Sequence, residues 1–104
     1  FQQITRQIKG SVVVKGQYDL ILSGTRFRIN KSGNPGMTVG GTGDALSGIC
    51  AALLTQGSNS FDSACLGTFI NGLAGDEAYD VKGNGFSATD LVAYIGNVIK
   101  NGRC

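Results

Sequence analysis

Six of the chain's 17 glycines and its only proline fall in one stretch, residues 33–48, "GNPGMTVGGTGDALSG", which passes without a gap into an apolar pattern of helical period. A glycine-rich loop that opens a helix is a ready anion site, because the first-turn N–H groups have no partner within the helix and its dipole places partial positive charge there. Glycines at 40, 41 and 43 let the backbone fold tightly and let a phosphoryl group approach with no Cβ in the way. The run is not a P-loop, since Asp44 and not a lysine follows Gly43, and "GGTGDA" lacks the register of a dinucleotide fingerprint. A carboxylate beside an anion site has a use in phosphoryl transfer: the amides stabilise charge on the moving group while Asp44 accepts a proton from the attacking hydroxyl. The plainer reading makes Asp44 or Thr42 an ordinary N-cap and the glycines a turn.

The rest of the chain says what surrounds the loop. "SVVVKG" (11–16) is a β-branched run of the kind buried on both faces of a sheet, and "YDLILSG" and "TRFRIN" read as two strands of a hairpin turning at Ser23-Gly24. From Asp44 the period becomes helical, with Leu46, Ile49, Cys50, Leu53 and Leu54 on the repeat and Gly57 as its stop. A second helix is expected from about Ser60 to Tyr79, where Phe61, Ala64, Cys65, Thr68, Leu73 and Ala74 form an apolar stripe. Its internal Gly67, Gly72 and Gly75 each cost about 1 kcal/mol against Ala, so close packing or a bound ligand must account for them. "VKGNGF" is a loop. A last helix opens at Ser87 or Thr89 and carries Leu91, Val92, Ile95, Val98 and Ile99 to the core. Strands followed by three packed helices make an α/β layered fold.

Composition removes several classes of function. With 104 residues the chain is one domain or part of one, and a net charge of +2 without a basic stripe offers nucleic acid no electrostatic footprint. No apolar run approaches the roughly 20 residues of a membrane span, and no secretory signal opens the chain. Histidine is absent, which removes Ser-His-Asp and Cys-His nucleophile schemes and any His-ligated metal. The three cysteines, Cys50, Cys65 and Cys104, lack metal-site spacing and fit free thiols of a reducing cytoplasm, with Cys50 and Cys65 in buried packing.

The glycine run resembles, at every fixed position, the N-P-G-M-x-x-G-G-T-G-D-x-L-S-G signature of the NAD(P)H-hydrate dehydratases of the ribokinase-like superfamily. "VVVKG" and "NGLAGDEA" (71–78) are similar to that family's K-G strand end and its H-G-x-A-G-D-x-A helix, and the likeness runs from about Lys9 to Asn101. It implies a ribokinase-like α/β layered fold of which residues 1–104 are the C-terminal portion, because such domains hold many more strands. The opening "FQQITRQIKG", without a methionine, agrees with a fragment of a longer protein; a truncated module unable to turn over alone is the alternative.

The activity implied is that of a metabolite-repair lyase, the ADP-dependent dehydration of the S-form of hydrated NADH or NADPH to NAD(P)H with release of AMP and phosphate. Carried onto matching positions, Asp44 contacts the hydrate and activates its hydroxyl, and Gly41, Thr42 and Gly43 form the anion hole, Gly43 also touching the nucleotide. Lys15, Gly16, Gln17, Tyr18 and Asp19 hold the phosphate and ribose side of the nucleotide, Lys15 as a point charge at a strand end where it is otherwise a solvated residue. Asn34 and Met37 line the substrate side, although Asn34-Pro35-Gly36 is equally ordinary turn chemistry. The threonine of "GGTGD" is similar to the bacterial and archaeal branch, which uses ADP, where eukaryotic members resemble "GGQGD" and use ATP. Asn71 departs from the pattern, standing where the family usually has histidine beside the adenine pocket. Mg²⁺ is expected with the nucleotide because it neutralises phosphate charge, no residue set here marking a metal site. Neither membrane nor nucleic acid is expected as a partner, whereas a homo-oligomer and an NAD(P)H-hydrate epimerase, fused or separate, stay open. So do two other readings: a ribokinase-like kinase of a vitamin precursor, which shares G-x-G-D but seldom "NPGM", and a non-catalytic nucleotide-binding fragment.

Overall fold

The computed structural model describes residues 10–34, 37 and 41–100, so that Pro35, Gly36, Gly40 and Cys104 lie outside the described residues. Three strands, β1 (Val12–Val14), β2 (Asp19–Ser23) and β3 (Arg26–Asn30), form an antiparallel sheet in the order β1-β2-β3. Ser23 pairs with Arg26, which places the tight turn at Gly24-Thr25, one residue later than expected; Gly24 supplies a φ of 60° at the first turn position. The valine run is not buried on both faces. It lies at the edge of the described sheet and is half-buried throughout, while β2, flanked on each side, holds the buried Ile21 and Leu22. A β-branched run reports apolar character, and the number of layers that cover it is a tertiary matter. On β3 the Arg26 guanidinium lies 4.4 Å from the centre of the Phe61 ring and ties the sheet to the helical layer.

Three helices follow, α1 (Thr42–Thr55), α2 (Ser60–Lys82) and α3 (Ala88–Lys100). Gly57, at φ 95°, sits just past the end of α1, as its sequence position suggests. The Asn59 side chain accepts from the Asp62 amide at 2.9 Å and starts α2. That helix outruns its expected end at Tyr79 and takes in Val81 and Lys82, leaving Gly83–Gly85 as one 3-10 turn of the supposed loop. Ser87 caps α3: its Oγ accepts from the Asp90 amide at 3.2 Å and its own amide donates to Asp90 Oδ2 at 2.9 Å.

Helix α2 is the centre of the molecule, in contact with α1, α3 and the sheet. Ile70 and Ala74 of α2 meet Leu91 and Val98 of α3 in the main core, and Phe61 and Ala64 meet Ile21 under the sheet. The glycines within α2 answer to close packing. A Cβ on Gly67 would stand 2.6 Å from Cys50 Sγ, one on Gly72 would stand 2.7 Å from the Ser32 carbonyl carbon, and one on Gly75 would meet the Met37 side chain. Burial pushes the Cys50 and Cys65 thiols above their usual range, in keeping with packing. The expected core is too broad, however. Leu54, Val92 and Ile99 are exposed, because α1 and α3 each carry more apolar residues than the one face turned to α2 can bury.

Candidate functional site

Two features of the fold meet at Met37. The first is a cavity of about 410 Å³. It is lined by Lys15, Gly16 and Gln17 of the β1–β2 connection, Asp19 on β2, Gly33, Asn34 and Met37 after the sheet, and Asn71 and Gly72 of α2. Most of the residues expected to hold the nucleotide therefore line the same cavity as the two expected on the substrate side. Tyr18 is the exception: it is 54% exposed and does not line the cavity.

The second feature is the N-terminus of α1. Its N-cap is Gly41, at φ 95° and with no side-chain hydrogen bond to the first turn. Only glycine suits this position, since the conformation is left-handed and a Cβ would approach that of Ala88 to 2.7 Å. Ala45 N–H donates to the Gly41 carbonyl at 3.1 Å, the first bond of the helix. Thr42 is buried, and its hydroxyl donates to the Met37 carbonyl at 2.8 Å. Beyond its own turn, no atom of the described residues lies within 4 Å of the place a Cβ on Gly43 would take, so among the described residues the space over the first turn is open. Asp44 is exposed in that turn, with no hydrogen bond or ion pair among the described residues. Capping accounts neither for Asp44 nor for Thr42. Gly41, Thr42, Gly43 and Asp44 do not line the cavity; the Thr42–Met37 bond sets them beside it.

Residues without a role in the sequence expectations brace the wall by hydrogen bonds. Asn30 ends β3 buried, its amide donating to the Thr68 carbonyl at 3.1 Å and to Asp19 Oδ2 at 3.4 Å, while Ser32 Oγ donates to Asn30 Oδ1 at 3.0 Å. Asp76 of α2 accepts from the Gly33 amide at 3.2 Å and from Asn34 Nδ2 at 3.0 Å. The sequence signal for Asn30 is a polar residue at a strand end, and for Asp76 an acid among small helical residues; both are faint. Asn71 is 3% exposed and its Oδ1 has no hydrogen-bond partner among the described residues, a polar atom at the cavity wall that a ligand would satisfy.

These elements provide a cationic side chain at one end of a cleft, an open helix N-terminus beside it and a solvated carboxylate in the same turn. That donor set fits a nucleotide's phosphates: Lys15 offers charge, and the open space over Gly43 offers room at the amides. It offers no protein cage for a metal, since no group of three or more His, Cys, Asp or Glu could hold an ion among the described residues. No described helix is long and apolar enough to cross a membrane.

Comparison with known proteins gives a consistent picture. The sequence model of the NAD(P)H-hydrate dehydratase family matches residues 1–97. The chain is 54% identical over 102 residues to the bifunctional NAD(P)H-hydrate repair enzyme of Methanothermobacter thermautotrophicus, a match covering 98% of this chain and 20% of that one. It is 42% identical over 90 residues to the ADP-dependent (S)-NAD(P)H-hydrate dehydratase of Cenarchaeum symbiosum, covering 86% of this chain and 31% of that one. Thus the chain spans only about a fifth to a third of the length of these curated relatives. In fold it is similar to a Streptococcus mutans protein described as hypothetical (TM-score 0.85, 23% identity) and to hydroxyethylthiazole kinase of Pyrococcus horikoshii (TM-score 0.81, 20% identity), covering 96% and 95% of this chain and 37% and 41% of those. The expected ribokinase-like fold is thereby met.

Proposed function

The chain belongs to the NAD(P)H-hydrate dehydratase family, and from that premise we propose that it is the catalytic-loop portion of an enzyme that repairs S-hydrated NADH or NADPH at the expense of ADP. The observation that carries the reading is Asp44: an exposed carboxylate with no side-chain partner among the described residues, in the first turn of a helix whose N-cap is a bare glycine. In this reading Asp44 takes the proton from the ring hydroxyl of the hydrate as that oxygen attacks the terminal phosphorus of ADP. The amides of Gly41, Thr42 and Gly43 stabilise the charge on the transferring phosphoryl oxygens. Lys15 and the backbone of Gly16 to Asp19 hold the phosphate and ribose side of ADP, and Asn34 orients the hydrate. AMP departs; the phosphorylated ring then loses phosphate together with a neighbouring ring proton, which restores the dihydronicotinamide. The atoms balance as hydrate plus ADP giving NAD(P)H, AMP and phosphate.

The name of the Cenarchaeum relative supports ADP as donor, as does Thr42 in "GGTGD". Mg²⁺ would enter on the nucleotide's phosphates, with no ligand set of the chain's own and no step assigned to it. The bifunctional relatives support an epimerase elsewhere in the same protein, and half-buried free thiols at Cys50 and Cys65 support a reducing cytoplasm. The fold shared with hydroxyethylthiazole kinase favours one second reading, a vitamin-precursor kinase.

The test uses the full-length protein with S-hydrated NADH, Mg²⁺ and either ADP or ATP, following the return of NADH absorbance, with Asp44→Asn alongside. Recovery with ADP that the variant loses is the expected result. A stable phosphorylated alcohol would instead mark a kinase, and recovery unaltered by the substitution would remove Asp44 from the mechanism.

A further inference from the structure

Resting on that reading, we propose that Asp76 is a positioning residue of the same site, fixing Gly33 and Asn34 and, through Met37, the first turn of α1. Its two carboxylate oxygens serve two donors of one turn, Oδ2 the Gly33 amide at 3.2 Å and Oδ1 the Asn34 side-chain amide at 3.0 Å. These partners lie 43 and 42 residues away in sequence, so the contact joins the exit of β3 to the middle of α2. It is half-buried and has no cationic partner among the described residues, so an ion pair does not explain it.

The surface of α2 is cut back to receive the turn. Gly72, Gly75 and Asp76 follow the i, i+3, i+4 spacing of one helix face; the two glycines leave room for Ser32 and Met37, and the short aspartate reaches the turn between them. From there a line of hydrogen bonds leads to the reactive end. Met37 N–H donates to the Asn34 carbonyl at 3.1 Å, and Thr42 Oγ1 donates to the Met37 carbonyl at 2.8 Å. Thr42 is the first residue of α1 and stands two before Asp44. Asp76 thus sets where the N-terminus of α1 stands relative to the cavity wall without touching substrate itself. The chemistry calls for a carboxylate: two N–H donors converge on it, and an asparagine would accept from one while turning its own NH₂ toward the other.

The experiment compares wild-type, Asp76→Asn and Asp76→Glu forms of the full-length enzyme by hydrogen–deuterium exchange, by ADP calorimetry and by kcat and KM for the hydrate. In Asp76→Asn, amides within residues 33–43 should exchange at least tenfold faster while α3 is unchanged. Its kcat should fall about tenfold or more, and ADP affinity should stay within about threefold. Asp76→Glu keeps both acceptors but moves them by one methylene, and serves should the Asn form fail to fold; it should keep its protection and lose kcat. Unchanged exchange at 33–43 in Asp76→Asn, or wild-type kcat in either variant, overturns the proposal. So does a parallel loss of ADP binding and of protection throughout α2 and α3, which is the mark of mere structural support. If the wild type itself fails to turn over hydrate with ADP, the dehydratase reading falls, and the exchange data alone then decide for or against the Asp76 clamp.

Discussion

Asp44 and Gly43 are neighbours in one helical turn, yet they can be separated by experiment because only one of them bears on a ligand through chemistry. Replacing Asp44 with Asn keeps shape and removes basicity. It should lower kcat by about 10²- to 10⁴-fold with little change in ADP affinity, read by steady-state kinetics and calorimetry on the full-length enzyme. Gly43→Ala tests space. Beyond its own helical turn, no atom of the described residues lies within 4 Å of the added methyl, so the fold should accept it with an unchanged or slightly higher Tm. ADP affinity should nonetheless drop tenfold or more, since the methyl fills the volume over the amides; normal ADP binding in that variant would show that phosphate sits elsewhere. The place of both residues at the mouth of a helix was legible in the sequence because a glycine loop is written in consecutive positions. Asp76 and Asn30 were not. Their partners lie tens of residues away, and no local pattern marks a carboxylate that will receive an amide from another element.

Among the elements, α2 shows how much the packing asks of single positions. Gly72→Ala would drive a methyl into the Ser32 backbone, which has no rotamer by which to yield, and should destabilise by about 1–3 kcal/mol in chemical denaturation. Gly96→Ala on α3, with nothing within 4 Å, should instead stabilise by up to about 1 kcal/mol. Equal effects of the two would mean that Ser32 does not rest on α2 as described. The start of α3 gives a pH dependence. The hydrogen bond from the Ser87 amide, and after it that from Lys82, holds the Asp90 carboxyl below its usual range. A depressed carboxylate stabilises the fold fully above the ordinary aspartate range and loses that contribution as pH falls through its folded value. The Tm of the wild type should therefore decline more steeply than that of Asp90→Asn below roughly pH 4. The helices could be read in advance because period and caps are local, and Ser87 was one of two caps expected. The valine strand was misjudged because burial depends on which layers arrive later, and among the described residues β1 has a neighbour on only one edge.

At the scale of the whole molecule, the errors in the expected core share one cause. Val92 and Ile99 of α3, with Ile49 and Leu53 of α1 and Leu66 and Ile70 of α2, line an apolar groove of about 530 Å³. Phe27 and Ile29 are likewise exposed on β3. Helical period marked Ile49 and Leu53 of α1 and Val92 and Ile99 of α3 as an inward apolar face, which is sound for a domain whose other layers are in place. Yet the chain corresponds to only 37–41% of the length of the structures it is similar to, so a sequence pattern suited to more layers meets fewer. An uncovered apolar groove of this kind favours association and dye binding. Expressed by itself, the 104-residue chain should bind the fluorophore ANS strongly and shift to larger species on gel filtration as concentration rises, whereas the full-length protein should do neither. A monomeric, dye-silent chain would mean that water covers the groove at little cost, and that the three helices are stable without a further layer over it.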